Sequence, residues 1–131
     1  MSEHDIDIPE VRAEIETLFG QYEAALVGND TDTLDALFWA SPRTVRYGAT
    51  ENLYGIDAIR AFRRARSSVG LARTVRRTAI TTFGRDAATT SIEFVRAGSL
   101  LVGRQTQTWM RLPEGFRIVA AHVSLVDLAA T

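Results

Sequence analysis

The chain has 131 residues, 46% of them hydrophobic, which suits one domain with a substantial core and is too short for several. Fifteen Lys+Arg against sixteen Asp+Glu leave a formal charge of -1, so no whole-molecule field calls for nucleic acid or an anionic membrane. The absence of cysteine excludes disulfides, a thiolate nucleophile and thiolate metal ligands, and fits a cytoplasmic protein.

Met1 to Asp7 is acidic, without the basic and apolar regions of a signal peptide, and is expected to be a flexible tail before a single domain over 8–131. No apolar stretch is long enough to cross a bilayer. From Pro9, the spacing of Val11, Ile15, Leu18, Phe19, Tyr22, Ala25 and Leu26 predicts an amphipathic helix with proline in its first turn, closed by Gly28. Asp30 is the expected N-cap of a short second helix carrying Leu34, Leu37 and Phe38, which must end before Ser41-Pro42. Thr44 to Tyr47 reads as a short strand. A third helix is predicted from Ile56 to about Ser68, burying Ile56, Ile59 and Phe62 and exposing Arg60, Arg63, Arg64 and Arg66.

Beyond Gly70 the pattern changes. Leu71–Phe83, Ala87–Arg96, Leu100–Arg111 and Phe116–Val126 are β-branched runs separated by turn residues, and predict four long antiparallel strands. Three helices followed by a curved meander bury both apolar faces when the sheet wraps around the helices, leaving a cavity between them. The predicted class is α+β.

Several polar residues fall on these apolar faces. Tyr22 lies on the buried stripe of the first helix, where its ring serves packing or its phenol serves as an acid or oxyanion donor. Arg46 alternates with Val45 and Tyr47, and periodicity alone does not choose its side. Facing inward, it would anchor a carboxylate; facing outward, it would be a solvated arginine paired with Glu51 or Asp57. His122 is predicted to share a face with Ile118, Ala120 and Ser124, and Gln105, Gln107 and Trp109 share a face of the preceding strand. A histidine there is either a hydrogen-bonded structural residue or a base, and the glutamines either read an amide-like ligand or bond across strands. His4 and His122 offer no metal-ligand spacing, and Gly98–Gly103 lacks the spacing and following helix of a phosphate loop. The third helix's arginines lack the interleaved aromatics of a nucleic-acid surface. All fifteen basic residues are arginine, which either reflects genome composition or suits bidentate carboxylate recognition.

Taken together, Arg46-Tyr47-Gly48, Glu51 with Tyr54-Gly55, Phe62-Arg63 with Arg66, Gly103 to Trp109 and Phe116 to Ser124 resemble the AtzH-like family, including HpxZ-type proteins, of the NTF2-like (SnoaL-like) superfamily. The resemblance spans about Ile8 to Leu128, with Phe116 where many relatives carry tryptophan. It implies an NTF2-like cone: three N-terminal helices packed in a strongly curved, mostly antiparallel sheet, usually dimeric through that sheet.

The activity it implies is a metal- and cofactor-independent decarboxylating amidohydrolase, converting a small carboxylated urea such as 1,3-dicarboxyurea to allophanate in bacterial nitrogen-compound catabolism. A functional link to an amidase-signature hydrolase is implied as well. The family's catalytic pair falls on Tyr22 and Arg46, with Trp39, Gln107, Trp109, His122 and Ser124 as expected pocket walls. A non-catalytic accessory or ligand-binding subunit of an amidase complex is the alternative. An isomerase or dehydratase on the same cone would need a pocket carboxylate base, and Glu93 is the sole carboxylate within a predicted strand interior.

Overall fold

The computed structural model describes residues 1–128. Helix α1 spans Pro9–Val27, α2 Thr31–Leu37 and α3 Ile56–Ala65; the strands are β1 Val45–Tyr47, β2 Asn52–Tyr54, β3 Thr74–Phe83, β4 Ala87–Val95, β5 Val102–Leu112 and β6 Gly115–Val126. Proline opens α1, where its missing N–H costs nothing, and the Asp30 carboxylate caps α2 by accepting from the Thr33 backbone N–H. Helix α3 stops three residues earlier than expected, because Arg66 has left the helical region at φ -78, ψ 150.

One six-stranded sheet runs in the order β2-β1-β6-β5-β4-β3. Every pairing is antiparallel except β1 with β6, which is parallel and brings the short N-terminal hairpin onto the last strand. Strand β2 was not expected from the sequence; its three residues fold back on β1 through Gly48 and Glu51, too short a run to show a period.

Along β4 and β5 burial alternates strictly over Ala88, Thr90, Ile92 and Phe94, and over Gly103, Gln105, Gln107 and Trp109. These side chains face the helices. Against them pack Val11, Ile15, Phe19 and Tyr22 of α1, Leu34 and Leu37 of α2 and Ile59 of α3. Each fully buried aliphatic residue, such as Ile15, Leu34 or Ile118, contributes about 2 kcal/mol of transfer free energy.

Two details shift side chains between faces. On β6, Trp109 pairs with Ile118 but Thr108 pairs with Ala120, so Val119 is an extra residue that reverses the alternation beyond it. Phe94 lies opposite Gly103, where an added Cβ would sit 2.1 Å from the ring, so glycine is what lets the aromatic cover the neighbouring strand.

The first seven residues, expected as a flexible tail, instead lie along the end of β3. Ile6 bridges Phe83, and Asp7 exchanges hydrogen bonds with Thr82, accepting through its carboxylate from the Thr82 backbone N–H at 2.9 Å. Among the described residues no helix is long and apolar enough to cross a membrane.

Candidate functional site

A single row of paired residues crosses the inner face of the sheet: Leu53, Arg46, Ala121, Gln107, Thr90 and Ile80 on successive strands. Arg46 and Gln107 therefore stand two strand spacings apart, about 10 Å, with only the small Ala121 between them. This row settles the orientation of Arg46. It is inward and 9% exposed, and its Nη1 donates to Glu51 Oε1 at 3.0 Å, so it is both buried and paired. Its guanidinium also lies 5.4 Å from the centre of the Phe62 ring.

Gly48 makes the pairing possible. A Cβ there would fall 1.7 Å from Glu51 Oε1, so the Arg-Tyr-Gly sequence is the space into which the Glu51 carboxylate folds back toward Arg46. Burial works to raise the Glu51 carboxyl, but the hydrogen bonds from Thr50 and Arg46 and the Arg46 charge outweigh it and hold the group below its ordinary value.

Across from this floor, α1 contributes Tyr22, 3% exposed, its ring 6.5 Å from that of Phe19 and 6.4 Å from that of Phe38. Its hydroxyl has no hydrogen-bond partner among the described residues. Helix α3 contributes Arg63 and the residue that ends it, Arg66. Arg63 is 2% exposed; its Nη1 donates to Asp35 Oδ1 at 2.7 Å and its guanidinium stacks 4.4 Å from the Phe38 ring centre. Arg66 has no carboxylate partner. Desolvation pushes the Arg63 guanidinium down, against the pull of Tyr22 and Asp35; desolvation does the same to Arg66, with repulsion from Arg46 and Arg63 adding to it. Both arginines thus lie within electrostatic reach of the Tyr22 oxygen.

The hydrogen-bond inventory shows what this interior lacks. Arg63 Nη2, Arg66 Nε and Nη2, Gln105 Nε2 and Gln107 Nε2 are all buried without a partner. Each is a donor, and unpaired buried donors are costly enough that native proteins keep few of them. These five donors, beside guanidiniums, match an oxyanion, while Asn29 Oδ1 and Thr82 Oγ1, also buried and unpartnered, lie at the α1–α2 turn and at the end of β3. No group of three or more His, Asp or Glu side chains that could hold a metal occurs among the described residues.

The AtzH-like sequence profile matches residues 4–129. The chain belongs to the AtzH-like family. A protein of unknown function from Pectobacterium atrosepticum is 57% identical, with a TM-score of 0.95 over 96% of this chain and 98% of that one. A cystatin-like fold protein from Burkholderia xenovorans is 48% identical, with a TM-score of 0.90 over 94% and 97% of the two chains. An NTF2-like superfamily protein from Salmonella enterica is 25% identical, with a TM-score of 0.71 over 88% and 90%. The fold is therefore NTF2-like, as the resemblance implied. No protein with a curated description matches the chain.

Of the residues expected at the AtzH-like site, Tyr22, Arg46 and Gln107 come together on the interior. Trp109 is wholly buried, but its indole N–H is committed to Thr90 Oγ1 at 3.0 Å, so it supports the floor and does not face a ligand through that group. His122 and Ser124 do not join them. The Val119 bulge turns both onto the outer face, where His122 is exposed against the edge of Tyr47 and Ser124 accepts from Arg104 Nε at 3.2 Å. Trp39 is half-buried and held through its main chain by Ile118 and Thr44, with no hydrogen bond or ring contact from its side chain to the arginines.

Sequence reasoning placed Arg63 and Arg66 on a solvated face, and the structure reverses this. Arg63 follows Ile56 and Ile59 at i+7 and i+4, on the buried stripe itself, and Asp35 from α2 supplies its counter-charge. Depressions of about 230 and 270 Å³ lie on the outer face of the sheet, near His122 and near Glu93, where Glu93 faces Arg76 at 4.0 Å. They are open to solvent, and the site is assigned instead to the interior, where the unpaired donors are.

Proposed function

We propose that this AtzH-like protein is a decarboxylating amidohydrolase of small carboxylated ureas, 1,3-dicarboxyurea to allophanate being the representative reaction. The observation that carries the reading is the set of five buried, unpartnered donor atoms on Arg63, Arg66, Gln105 and Gln107 around Tyr22 and Arg46. An acceptor-rich, negatively charged ligand satisfies them together.

In this reading Arg46, oriented by Glu51, and Arg66 hold one carboxylate of the substrate. The bond between the urea nitrogen and the departing carboxylate carbon breaks, the electron pair stays on nitrogen, and carbon dioxide leaves. Tyr22 gives its proton to that nitrogen. The phenolate left behind lies within reach of Arg63 and Arg66 and is reprotonated from water, so the dianion plus one proton becomes the allophanate monoanion and carbon dioxide. An N-carboxy group is intrinsically labile, and positioning with one proton transfer supplies the modest acceleration required.

The interior carboxylates support this over an isomerase. Asp35, Glu51 and Glu23 are each committed to an arginine, the Glu51 carboxyl is held below its ordinary value, and Glu93 lies on the other face. On the same reading the protein acts as a homodimer joined through the outer face of β3 to β6 and works after an amidase that generates the carboxylated urea.

The test is allophanate formation from 1,3-dicarboxyurea generated in situ, with and without the protein. Acceleration that disappears in folded Tyr22→Phe and Arg46→Ala supports the reading. Full activity in Tyr22→Phe removes the acid role, and no acceleration by the wild type, with retained anion binding, moves the protein to a ligand-binding subunit of an amidase complex.

A further inference from the structure

Of the two interior glutamines, Gln107 has its amide oxygen turned toward β4 by a relay of hydrogen bonds. Trp109 Nε1 is a donor and nothing else, and it donates to Thr90 Oγ1 at 3.0 Å. The Thr90 hydroxyl, having accepted there, has one proton to give, and it gives it to Gln107 Oε1 at 3.1 Å. The amide oxygen of Gln107 is thereby held against β4, and its Nε2 is left buried and unpartnered. Gln105 repeats the arrangement with Arg73, whose Nη2 donates to Gln105 Oε1 at 3.1 Å and leaves Gln105 Nε2 unpartnered. All three members of the relay are almost completely buried, so water does not compete for these bonds.

We propose that Thr90 is a specificity-determining positioning residue: by pinning the Gln107 carbonyl it makes the pocket wall opposite Arg46 donate only. A wall of this polarity takes a ligand oxygen, from a carboxylate or carbonyl, and penalises a ligand N–H at the same place, because two donors would face each other in a desolvated site. The inference rests on the carboxylated-urea reading and sharpens it. That reaction turns an acceptor-rich N-carboxylate into a donor-bearing NH2, so the fixed Gln107 favours substrate over product and promotes product release. A freely rotating Gln107 would accommodate both.

The experiment measures binding of malonate and of its monoamide, malonamate, to wild type, Thr90→Val and Thr90→Ser by titration calorimetry, with circular dichroism and thermal unfolding as checks of folding. Wild type is expected to bind malonate at least tenfold more tightly than malonamate. Thr90→Val releases the Gln107 amide to rotate and brings that ratio to about two or three, while Thr90→Ser, which keeps the hydroxyl, restores it. If Thr90→Val unfolds because the Trp109 N–H is stranded, Gln107→Met removes the same wall from the other side and must also collapse the ratio. An undiminished ratio in folded Thr90→Val or in Gln107→Met overturns the proposal, as does a wild type that does not discriminate. Because these probes are not turned over, selective binding without allophanate formation would defeat the catalytic reading and leave this one standing.

Discussion

Replacing Arg66 by methionine should make the ligand-free protein more stable and make it bind anions worse. Arg66 is half-buried, carries two buried donors without partners, and faces the like charges of Arg46 and Arg63. An unsatisfied buried donor costs about 1–3 kcal/mol, and since half of this side chain is solvated the recoverable part is about 1 kcal/mol. For a domain of this size that raises the midpoint of thermal unfolding by about 4 °C. Methionine keeps the unbranched apolar stem of the side chain, so packing at the end of α3 is conserved. The ligand loses one charge-assisted hydrogen-bonding group, about 1.5–3 kcal/mol, which weakens malonate binding roughly 10- to 100-fold. Thermal unfolding with and without malonate, together with calorimetric titration, reads both effects on one sample. A variant that unfolds at a lower temperature and binds malonate as well as wild type would show that Arg66 supports the fold, and the argument from unpaired donors would fail.

Gly48→Ala places a methyl where the Glu51 carboxylate sits, so the carboxylate swings away and Arg46 loses its counter-ion. The domain should stay folded with the urea midpoint lowered by the equivalent of about 1 kcal/mol, and Glu51→Gln combined with it should add little, which a double-mutant cycle checks. The depressed Glu51 carboxyl gives a pH dependence of fixed sign. The stability it contributes is complete above the carboxyl's unfolded value and is lost as the pH falls through its lower folded value, so acid unfolding curves of Glu51→Gln should be flatter there than those of wild type. Identical acid limbs would show that the Arg46 pair contributes nothing.

The helices and the long strands were legible because they bury one face each and repeat that fact many times. Pro9, Asp30 and Gly28 mark ends by local chemistry that no tertiary contact overrides. Strand β2 was not legible, since three residues carry no period and its existence depends on the parallel docking of β1 on β6. The site was half legible. Tyr22 lay on an unmistakable stripe, and Gln107 on a strict alternation. His122 was misplaced because one extra residue, Val119, inverts everything downstream in its strand, and a bulge leaves no mark in the pattern of apolar residues. Arg63 and Arg66 were misplaced for a different reason: arginine is normally solvated, and the partner that buries Arg63 is Asp35, 28 residues earlier. The spacing Ile56, Ile59, Arg63 was the available signal, and it needed the charge to be ignored in favour of the period.

Charge balance on the inner side of the sheet connects these residues to the size of the ligand charge. Arg46, Arg63 and Arg73 are each paired with a carboxylate, Glu51, Asp35 and Glu23 respectively, whereas Arg66 and Arg96 have none. Arg96 lies 4.8 Å from the Phe94 ring centre, with Arg73 4.3 Å from the same ring, and desolvation together with repulsion from Arg73 pushes its guanidinium down. Its Nε is buried and unpartnered, like those of Arg66. The two cations are desolvated in separate places, since Arg46 and Arg63 repel Arg66 whereas Arg73 repels Arg96, so an anion held beside Tyr22 relieves the standing cost of Arg66. On the proposed reading the substrate carries two carboxylates and the product one, so the unpaired charge of Arg66 draws the dianion in and holds the monoanion less tightly. Thr90 reaches the same ordering through hydrogen-bond polarity, and the two effects depend on different residues, so Arg66→Met should weaken malonate binding by the same factor in wild type and in Thr90→Val, which calorimetric titration of the double variant checks.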